Sequence, residues 1–128
     1  MHDFKIIAKE VLELEAKELL NAAALIGDEM REATELVASL KGKLIITGVG
    51  KSGLIGAKIA ATLASTGTSS FFLHPTEALH GDLGMIGKDD AVLAISYSGE
   101  SEELIKILPH IKRFDIPLIG MAKTKNSS

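Results

Sequence analysis

Residues Leu44–Gly53 read LIITGVGKSG, and this stretch decides the fold of the chain. A short apolar run ends in a glycine-rich turn, and the segment Ser52–Ser65 that follows has the composition of a helix. Such a run, leading through glycines into a helix, is typical of a buried parallel strand and its crossover helix. The stretch therefore predicts an α/β domain with a ligand-binding turn after its first strand.

A second stretch has the same organisation. Residues Ala91–Ser101 read AVLAISYSGES, and Glu102 and Glu103 open the helix that comes next. Backbone N–H groups at a helix N-terminus are unpaired, and the helix dipole adds partial positive charge there. Glycine lets an anion approach the backbone, and serine adds hydroxyl donors. The two turns therefore predict a phosphate site at the carboxyl ends of parallel strands, where open α/β sheets bind ligands.

The remaining segments alternate between helix and strand. Apolar periodicity predicts helices at Phe4–Leu25, Glu29–Leu40, Ser52–Ser65 and Ser101–Phe114, and strands at Lys43–Val49, Ser69–Leu73, Ala91–Ile95 and Ile116–Met121. Strands separated by helices imply parallel pairing with right-handed crossovers. We expect one domain, with N-terminal helices over residues 1–42 and an α/β core over residues 43–128.

The composition excludes several classes of protein. The chain has 128 residues, 46% of them hydrophobic and 4% aromatic, which suits one domain with an aliphatic core. A net charge of −3 without a Lys/Arg run argues against a nucleic-acid partner. The absence of cysteine excludes disulfides, thiolate metal sites and a cysteine nucleophile. Because no signal-peptide pattern and no long apolar run is present, we expect a cytoplasmic protein without a membrane partner.

The glycine turn also fits the dinucleotide-binding fingerprint Gly-x-Gly-x-x-Gly. That fingerprint expects an acidic residue about 20 positions further on to hold the ribose. Here residues 70–75 read SFFLHP, without a carboxylate before Glu77. A nucleotide P-loop fails as well, since Ile45 stands where its first glycine is needed. We therefore expect no nicotinamide cofactor, and none is required by the chemistry considered below.

A third stretch offers acid–base groups. Residues His74–Gly84 read HPTEALHGDLG and bring two imidazoles and two carboxylates close together in sequence. His74 alone is more simply explained as a capping residue, whereas His80, directly before Gly-Asp, favours a site role. Lys51 lies between two glycines in a turn with no packing need for lysine, so we expect it to face the ligand.

Together these motifs closely resemble the SIS (sugar isomerase) domain, and more narrowly the arabinose 5-phosphate isomerases of bacteria. The matching segments are GVGKSG at 48–53, ATLASTGT at 61–68, FFLHPTEALHGDLGM at 71–85 and ISYSGES at 95–101. The resemblance implies a flavodoxin-like, three-layer α/β fold with N-terminal helices and five parallel strands. Family members continue into the fifth strand, a further histidine and a pair of CBS domains, so we expect a sheet one strand short.

The resemblance also implies a reaction, the interconversion of D-ribulose 5-phosphate and D-arabinose 5-phosphate. This step begins the route to 3-deoxy-D-manno-octulosonate (KDO), a sugar of lipopolysaccharide or capsule. By position, the resemblance gives catalytic roles to Lys51, His80 and Glu103. It also makes His74 a position that can bind a divalent metal such as zinc. With the glycine turn included, the expected substrate contacts are Gly48, Gly50, Ser52, Gly67, Thr68, His74, Ser96, Ser98 and Ser101.

These residue types suit an aldose–ketose isomerisation, which moves one proton between two carbons and another between two oxygens. We expect Glu103 to act as base, His80 as its acid–base partner and Lys51 as electrostatic stabiliser, although Glu103 and His80 could exchange roles. A non-catalytic, sugar-phosphate-binding regulatory SIS module is the alternative. In either case we expect a homodimer or homotetramer, because SIS domains resemble one another in placing ligand sites near subunit interfaces.

Overall fold

The computed structural model of the protein describes residues 3–79, 82–97 and 102–122. Two compact units are present, one up to Thr34 and one from Glu35 onward. The helices are α1 (Phe4–Leu25), α2 (Asp28–Ser39), α3 (Gly50–Ser65), α4 (Pro75–Leu79) and α5 (Glu102–Arg113), with a 3₁₀ turn at Asp82–Met85. The strands are β1 (Leu44–Gly48), β2 (Ser70–Phe72), β3 (Ala91–Ile95) and β4 (Leu118–Met121).

The first unit is dominated by α1, whose predicted bounds are confirmed. Asp3 caps this helix, because its carboxylate accepts hydrogen bonds from the backbone N–H groups of Lys5 and Ile6. The helix contains no buried residue. Several large apolar side chains of α1 are accordingly exposed, including Phe4, Leu12, Leu19 and Leu20.

The second unit is built on a parallel sheet in the order β2-β1-β3-β4. All strand pairs are parallel, and β1 pairs with β3 along its whole length, from Leu44 opposite Ala91 to Gly48 opposite Ile95. This is the flavodoxin-like order without a fifth strand. The predicted three-layer, parallel α/β class is therefore confirmed, with four strands in the described part of the chain.

Each face of the sheet is covered by its own helices, because residues of a strand alternate between the two faces. One face places Ile45 and Val92 against Leu104, Ile107 and other apolar residues of α4 and α5. The opposite face carries the next residue of each strand. It packs against α3 and the last part of α2, through Ile46, Leu93, Ala60, Leu36 and Val37.

The bounds of α2, β1, β2 and α5 differ from the sequence expectation by one residue at each end, and the starts of β4 and α3 differ by two. β4 begins at Leu118 and leaves Pro117 outside the strand, although the Pro117 carbonyl still accepts a hydrogen bond from the Val92 N–H at 2.9 Å. Proline has no N–H to donate, which makes it a poor ladder residue. α3 begins at Gly50 rather than Ser52, since the Gly53 N–H already bonds to the Val49 carbonyl at 3.2 Å.

One carboxylate fixes the amino ends of the two central strands. The oxygens of Asp90 accept hydrogen bonds from the backbone N–H groups of Lys43, at 2.6 Å, and Gly87, at 2.7 Å. The Gly42 N–H adds a bond to the Asp89 carbonyl at 2.9 Å. These contacts tie the start of β1 to the start of β3 and so set their register.

The carboxyl end of β1 is in tight contact with α3. A methyl group at Gly53 would lie 2.7 Å from the Gly48 carbonyl oxygen, and one at Gly56 would lie 3.0 Å from a methyl of Ile46. The ring of Phe72 lies against both glycines, at 3.4 Å from each of these methyl positions. The helix can approach the strand this closely only because Gly53 and Gly56, the helix residues at the contact, have a hydrogen atom in place of a side chain.

This contact generates a stability prediction. Gly53→Ala should lower the free energy of unfolding by about 1–3 kcal/mol, because the added methyl meets backbone that must move to accept it. Urea denaturation followed by circular dichroism measures the change. The matched control is Gly84→Ala, where a methyl would meet nothing within 4 Å; that variant should stay within about 0.5 kcal/mol of the parent. Equal stabilities for the two variants would contradict the packing account.

Candidate functional site

Three segments leave the sheet side by side at its carboxyl edge. β1 runs into the glycine turn, β2 ends just before His74, and β3 ends just before Ser96. After β1 the chain turns to the face covered by α3, and after β3 it turns to the face covered by α5. The strand order therefore reverses between β1 and β3, and a crevice at such a switch point is where open α/β sheets bind ligands.

The glycine turn leaves the N-terminus of α3 open to an anion. Gly50 has φ +59°, a left-handed conformation that glycine adopts without strain. Val49 occupies the N-cap position and gives no side-chain hydrogen bond to the helix. The first N–H groups of this helix therefore have no side-chain cap competing with a ligand. Lys51 is exposed and Ser52 is half-buried in this first turn.

For the second turn, the structure describes Ser96 and Tyr97 at its beginning and Glu102 at the start of the helix that follows. Ser96 is buried, and its N–H donates to the Met121 carbonyl at 2.9 Å, which continues the pairing of β3 with β4. Two predicted contacts, Ser98 and Ser101, lie outside the described residues, and so does the predicted catalytic residue His80.

The start of α5 supplies two carboxylates with different surroundings. Glu102 forms a salt bridge with Lys106 at 3.3 Å, one turn further along the helix. Glu103 is exposed in the same first turn, and no salt bridge engages it within the described ranges. Of the two carboxylates in this turn, only Glu102 is engaged in a salt bridge within the described residues.

His74 is held in a defined orientation. Its Nδ1 accepts a hydrogen bond from the Thr76 backbone N–H at 3.1 Å, which caps the start of α4. Its ring meets the ring of Phe72 edge to face, with centroids 6.5 Å apart. With Nδ1 as acceptor, the neutral ring carries its proton on Nε2 and presents an N–H donor.

This orientation bears on the predicted zinc position. A histidine that binds a metal through Nε2 usually donates a hydrogen bond from Nδ1, whereas here Nδ1 of His74 accepts one. No group of three or more potential ligands is near enough to share a metal ion in the part of the chain that is described. The zinc prediction at His74 therefore gains no support from its surroundings.

Gly67 and Thr68 lie away from the other predicted contacts. They follow the C-terminus of α3, where the Thr68 N–H bonds to the Leu63 carbonyl at 2.9 Å and ends the helix. α3 spans 16 residues, so its two ends are about 24 Å apart. Within one chain these two residues lie at the amino edge of the sheet, and their contact with substrate stays a prediction.

Sequence reasoning missed the contribution of Phe72. This half-buried ring lies between the glycines of α3 and the ring of His74. The available signal was Gly56, one further glycine on the same face of α3 as Gly53. Glycines on one face of a helix indicate that a large side chain or the backbone of a neighbouring element lies close to that face.

A cavity of about 240 Å³ opens at a different place. It lies by the start of β4, away from both turns, and its walls are mostly apolar. Its lining residues are Gly84, Ile86, His110, Ile111, Phe114 and Ile116. The glycine turn with Lys51 and Ser52 lies at the other edge, so this cavity is not the candidate phosphate site. Among the described helices, none has the length and apolarity needed to cross a membrane.

The parallel sheet and its strand order define the class of the protein as a doubly wound α/β domain, with its candidate ligand site at the switch point. A family model described as SIS domain matches residues 37–128. The chain belongs to the SIS domain family.

Several relatives carry a more specific name. The chain is 51% identical over 125 residues to "Arabinose 5-phosphate isomerase KdsD" of Pseudomonas aeruginosa, a match that covers 98% of this chain and 38% of the relative. It is 48% identical over 126 residues to the protein of the same name in Escherichia coli K12, with the same coverage. The chain thus spans slightly over a third of the length of these curated relatives.

Solved structures give the same result for the fold. A protein of E. coli CFT073 in complex with arabinose 5-phosphate superposes with a TM-score of 0.92 at 42% identity, over 100% of this chain and 69% of that one. A Bacteroides fragilis protein described as a phosphosugar isomerase involved in capsule formation also gives a TM-score of 0.92, at 35% identity, over 98% and 67% of the two chains.

The geometry of His74 yields a testable result. His74→Ala should lose about 0.5–2 kcal/mol of stability, because the acceptor for the Thr76 N–H is removed. His74→Asn should stay close to the parent, since its amide oxygen can take the place of Nδ1 and asparagine is a good N-cap. Chemical denaturation of the three proteins measures this. If alanine and asparagine are equally tolerated, the capping role is wrong.

Proposed function

We propose that this chain is the catalytic domain of an isomerase that interconverts D-ribulose 5-phosphate and D-arabinose 5-phosphate. One observation carries the proposal: the chain superposes along its whole length on a protein solved in complex with arabinose 5-phosphate, at 42% identity and a TM-score of 0.92. The names of the relatives at 48–51% identity point the same way. Since those relatives are longer than this chain, the activity of the 128 residues by themselves is part of the proposal.

The proposed substrate fits the chemistry of the carboxyl edge. A phosphate monoester carries close to two negative charges, and the open N-terminus of α3 offers N–H donors and partial positive charge. The exposed Lys51 can add a full positive charge in the same turn. We propose that these groups, with Ser52 and the serines of the second turn, hold the phosphate and anchor the sugar across the crevice.

Anchoring the phosphate brings the sugar carbons towards α5. We propose that the Glu103 carboxylate removes a proton from C1 of ribulose 5-phosphate, which gives an enediol, and returns a proton to C2. A second proton then has to pass from O1 to O2, and His80 is the proposed carrier. Lys51 stabilises the negative charge that develops on the oxygens. Glu103 and His80 could exchange these roles, and no step in this scheme is assigned to a metal ion.

His74 is proposed to bind the sugar rather than to move protons. Its Nδ1 is occupied by the Thr76 N–H, so Nε2–H is the group it can offer. A fixed donor suits a sugar hydroxyl or carbonyl oxygen. We further propose that the enzyme is cytoplasmic and that it acts in the route to KDO for lipopolysaccharide or capsule.

We also propose that the protein acts as a homodimer or homotetramer. α1 contains no buried residue and exposes large apolar side chains. On α3, Leu54 is 74% exposed and Ile55 is 56% exposed directly after the glycine turn. Apolar residues in such numbers on a surface are typical of association sites. An interface at Leu54 and Ile55 would border the glycine turn. Association of subunits would also be needed to bring Gly67 and Thr68 of another subunit to the site.

The proposed base can be tested by substitution. Glu103→Gln keeps the size of the side chain but cannot accept the proton from carbon, so the rate of isomerisation should fall by about 10²–10⁴-fold. Conversion of ribulose 5-phosphate to arabinose 5-phosphate, followed by NMR of the sugar protons, measures the rate. The matched control is Glu102→Gln in the same helical turn, which loses only the exposed pair with Lys106 and should keep its activity.

The controls also separate the enzyme from a regulatory module. A parent chain that binds arabinose 5-phosphate but shows no isomerisation at any enzyme concentration would favour the non-catalytic alternative. If the parent chain is active and Glu102→Gln is impaired as strongly as Glu103→Gln, the assignment of the base is wrong.

The oligomer proposal has its own measurement. Sedimentation velocity at micromolar concentration should give a dimer or tetramer, because burial of the α1 apolar side chains between subunits is favourable. Leu12→Glu places a charge among these side chains and should shift the distribution towards smaller species, whereas Glu13→Gln should not. A compact, stable monomer for the parent chain would contradict the proposal.

A further inference from the structure

One polar group in the core of the second unit has no partner. Thr47, on β1, is 1% exposed, and its hydroxyl makes no hydrogen bond in the described structure. A buried polar group without a partner costs about 1–3 kcal/mol. Native proteins contain few such groups, and those that persist call for an explanation.

The position of Thr47 in the sheet shows which way its side chain points. Residues of a strand alternate between faces, so Thr47 shares a face with Ile45, which packs against α4 and α5. Its partner across the β1–β3 ladder is Ala94, which also packs against that cluster. The Thr47 hydroxyl therefore lies on the α5 side of the sheet, one residue before the glycine turn.

The residues beside Thr47 on the β3 side are small, whereas on the β2 side the pairing continues to the buried Leu73. Across β1, β3 and β4 the row that contains Thr47 reads Thr47, Ala94 and Gly120. Ala94 is only half-buried, and a methyl group at Gly120 would meet nothing within 4 Å. One row further from the edge, the same three strands carry Ile45, Val92 and Leu118, which pack closely.

This change from large to small residues on β1, β3 and β4 occurs at the carboxyl edge of the sheet. α5 runs antiparallel to the strands, so its first turn, with Glu103, lies over the carboxyl end of this face. The row of Thr47, Ala94 and Gly120 is the next one towards the two turns, and Thr47 itself is covered, at 1% exposure. Its hydroxyl lies one residue before the glycine turn, next to the place proposed above for the sugar.

The choice of threonine supports a role in binding. Valine has the same shape and an equal preference for strands, and it would remove the unpaired hydroxyl at once. We therefore expect the free protein to be no less stable with valine at position 47. A group that lowers stability and lies at a ligand crevice is typical of a residue kept for function.

We propose that the Thr47 hydroxyl is a ligand-binding group, which hydrogen-bonds to the bound sugar phosphate directly or through one ordered water molecule. This inference rests on the proposed sugar-phosphate site. It assigns a binding role to a residue that the glycine and serine motifs do not include.

Two variants test the inference, each measured for stability without ligand and for affinity towards arabinose 5-phosphate by calorimetry. Thr47→Val should be as stable as the parent or more stable, and its affinity should fall by about 2- to 12-fold, the loss expected for one neutral hydrogen bond. Thr47→Ser keeps the hydroxyl and should keep an affinity within about twofold of the parent. A threonine with only a structural role would not produce opposite changes in stability and affinity.

Each other outcome overturns the inference. Unchanged affinity in Thr47→Val, with a parent that binds, would make the hydroxyl irrelevant to the ligand while leaving the proposed function in place. A Thr47→Val protein that is less stable or does not fold would show that the hydroxyl already has a partner in the free protein. A parent chain that binds no sugar phosphate would overturn the site itself, and the role of Thr47 with it.

Discussion

The contact between α3 and β1 is the constraint on which the rest of the second unit depends. Gly53 lies so near the Gly48 carbonyl that a methyl group would be 2.7 Å from its oxygen, and Phe72 fills the remaining space against Gly53 and Gly56. Because the helix approaches the strand this closely, it starts within two residues of the strand's end. Its first N–H groups are thereby aimed across the carboxyl edge of the sheet, where a phosphate can reach them.

The same contact also orients groups that do not belong to the turn. Phe72 can lie against α3 only because the helix presents glycines, and its ring in turn meets His74 edge to face. On the other face of the sheet, large residues end one row before the edge and small ones take over at Thr47, Ala94 and Gly120. Close packing on the α3 face and smaller residues of β1, β3 and β4 on the α5 face meet at the carboxyl edge of the sheet.

The sequence was enough to predict the fold because the strong signals are local. β3 has the predicted bounds, and α1 does too, since an apolar run between polar residues and a long apolar periodicity each depend on neighbouring residues only. Parallel pairing followed from the crossover rules and the flavodoxin-like class from the family resemblance, whereas the order β2-β1-β3-β4 is given by the structure. The start of α3 was misjudged by two residues, because the bond from Gly53 to Val49 depends on the conformation of Gly50.

The candidate site was predictable to a smaller extent. Lys51, Ser52, His74, Ser96 and Glu103 could be assigned to one edge of the sheet, because each follows a predicted strand or opens a predicted helix. The cap from Thr76 to His74, the contact of Phe72 with the glycines and the unpaired hydroxyl of Thr47 could not be seen. These features depend on distances between segments far apart in sequence, which spacing along one chain does not contain.

We propose that a sugar phosphate binds at the carboxyl edge of the sheet, between the glycine turn and the start of α5. Titration of the ¹⁵N-labelled protein with arabinose 5-phosphate, followed through its backbone amide resonances, tests this most directly. We expect saturable shifts at Gly50, Lys51 and Ser52 and in the first turn of α5, with little change around His110 and Phe114. Shifts centred on the cavity beside His110 and Phe114, or no saturable shift at the glycine turn, would contradict it.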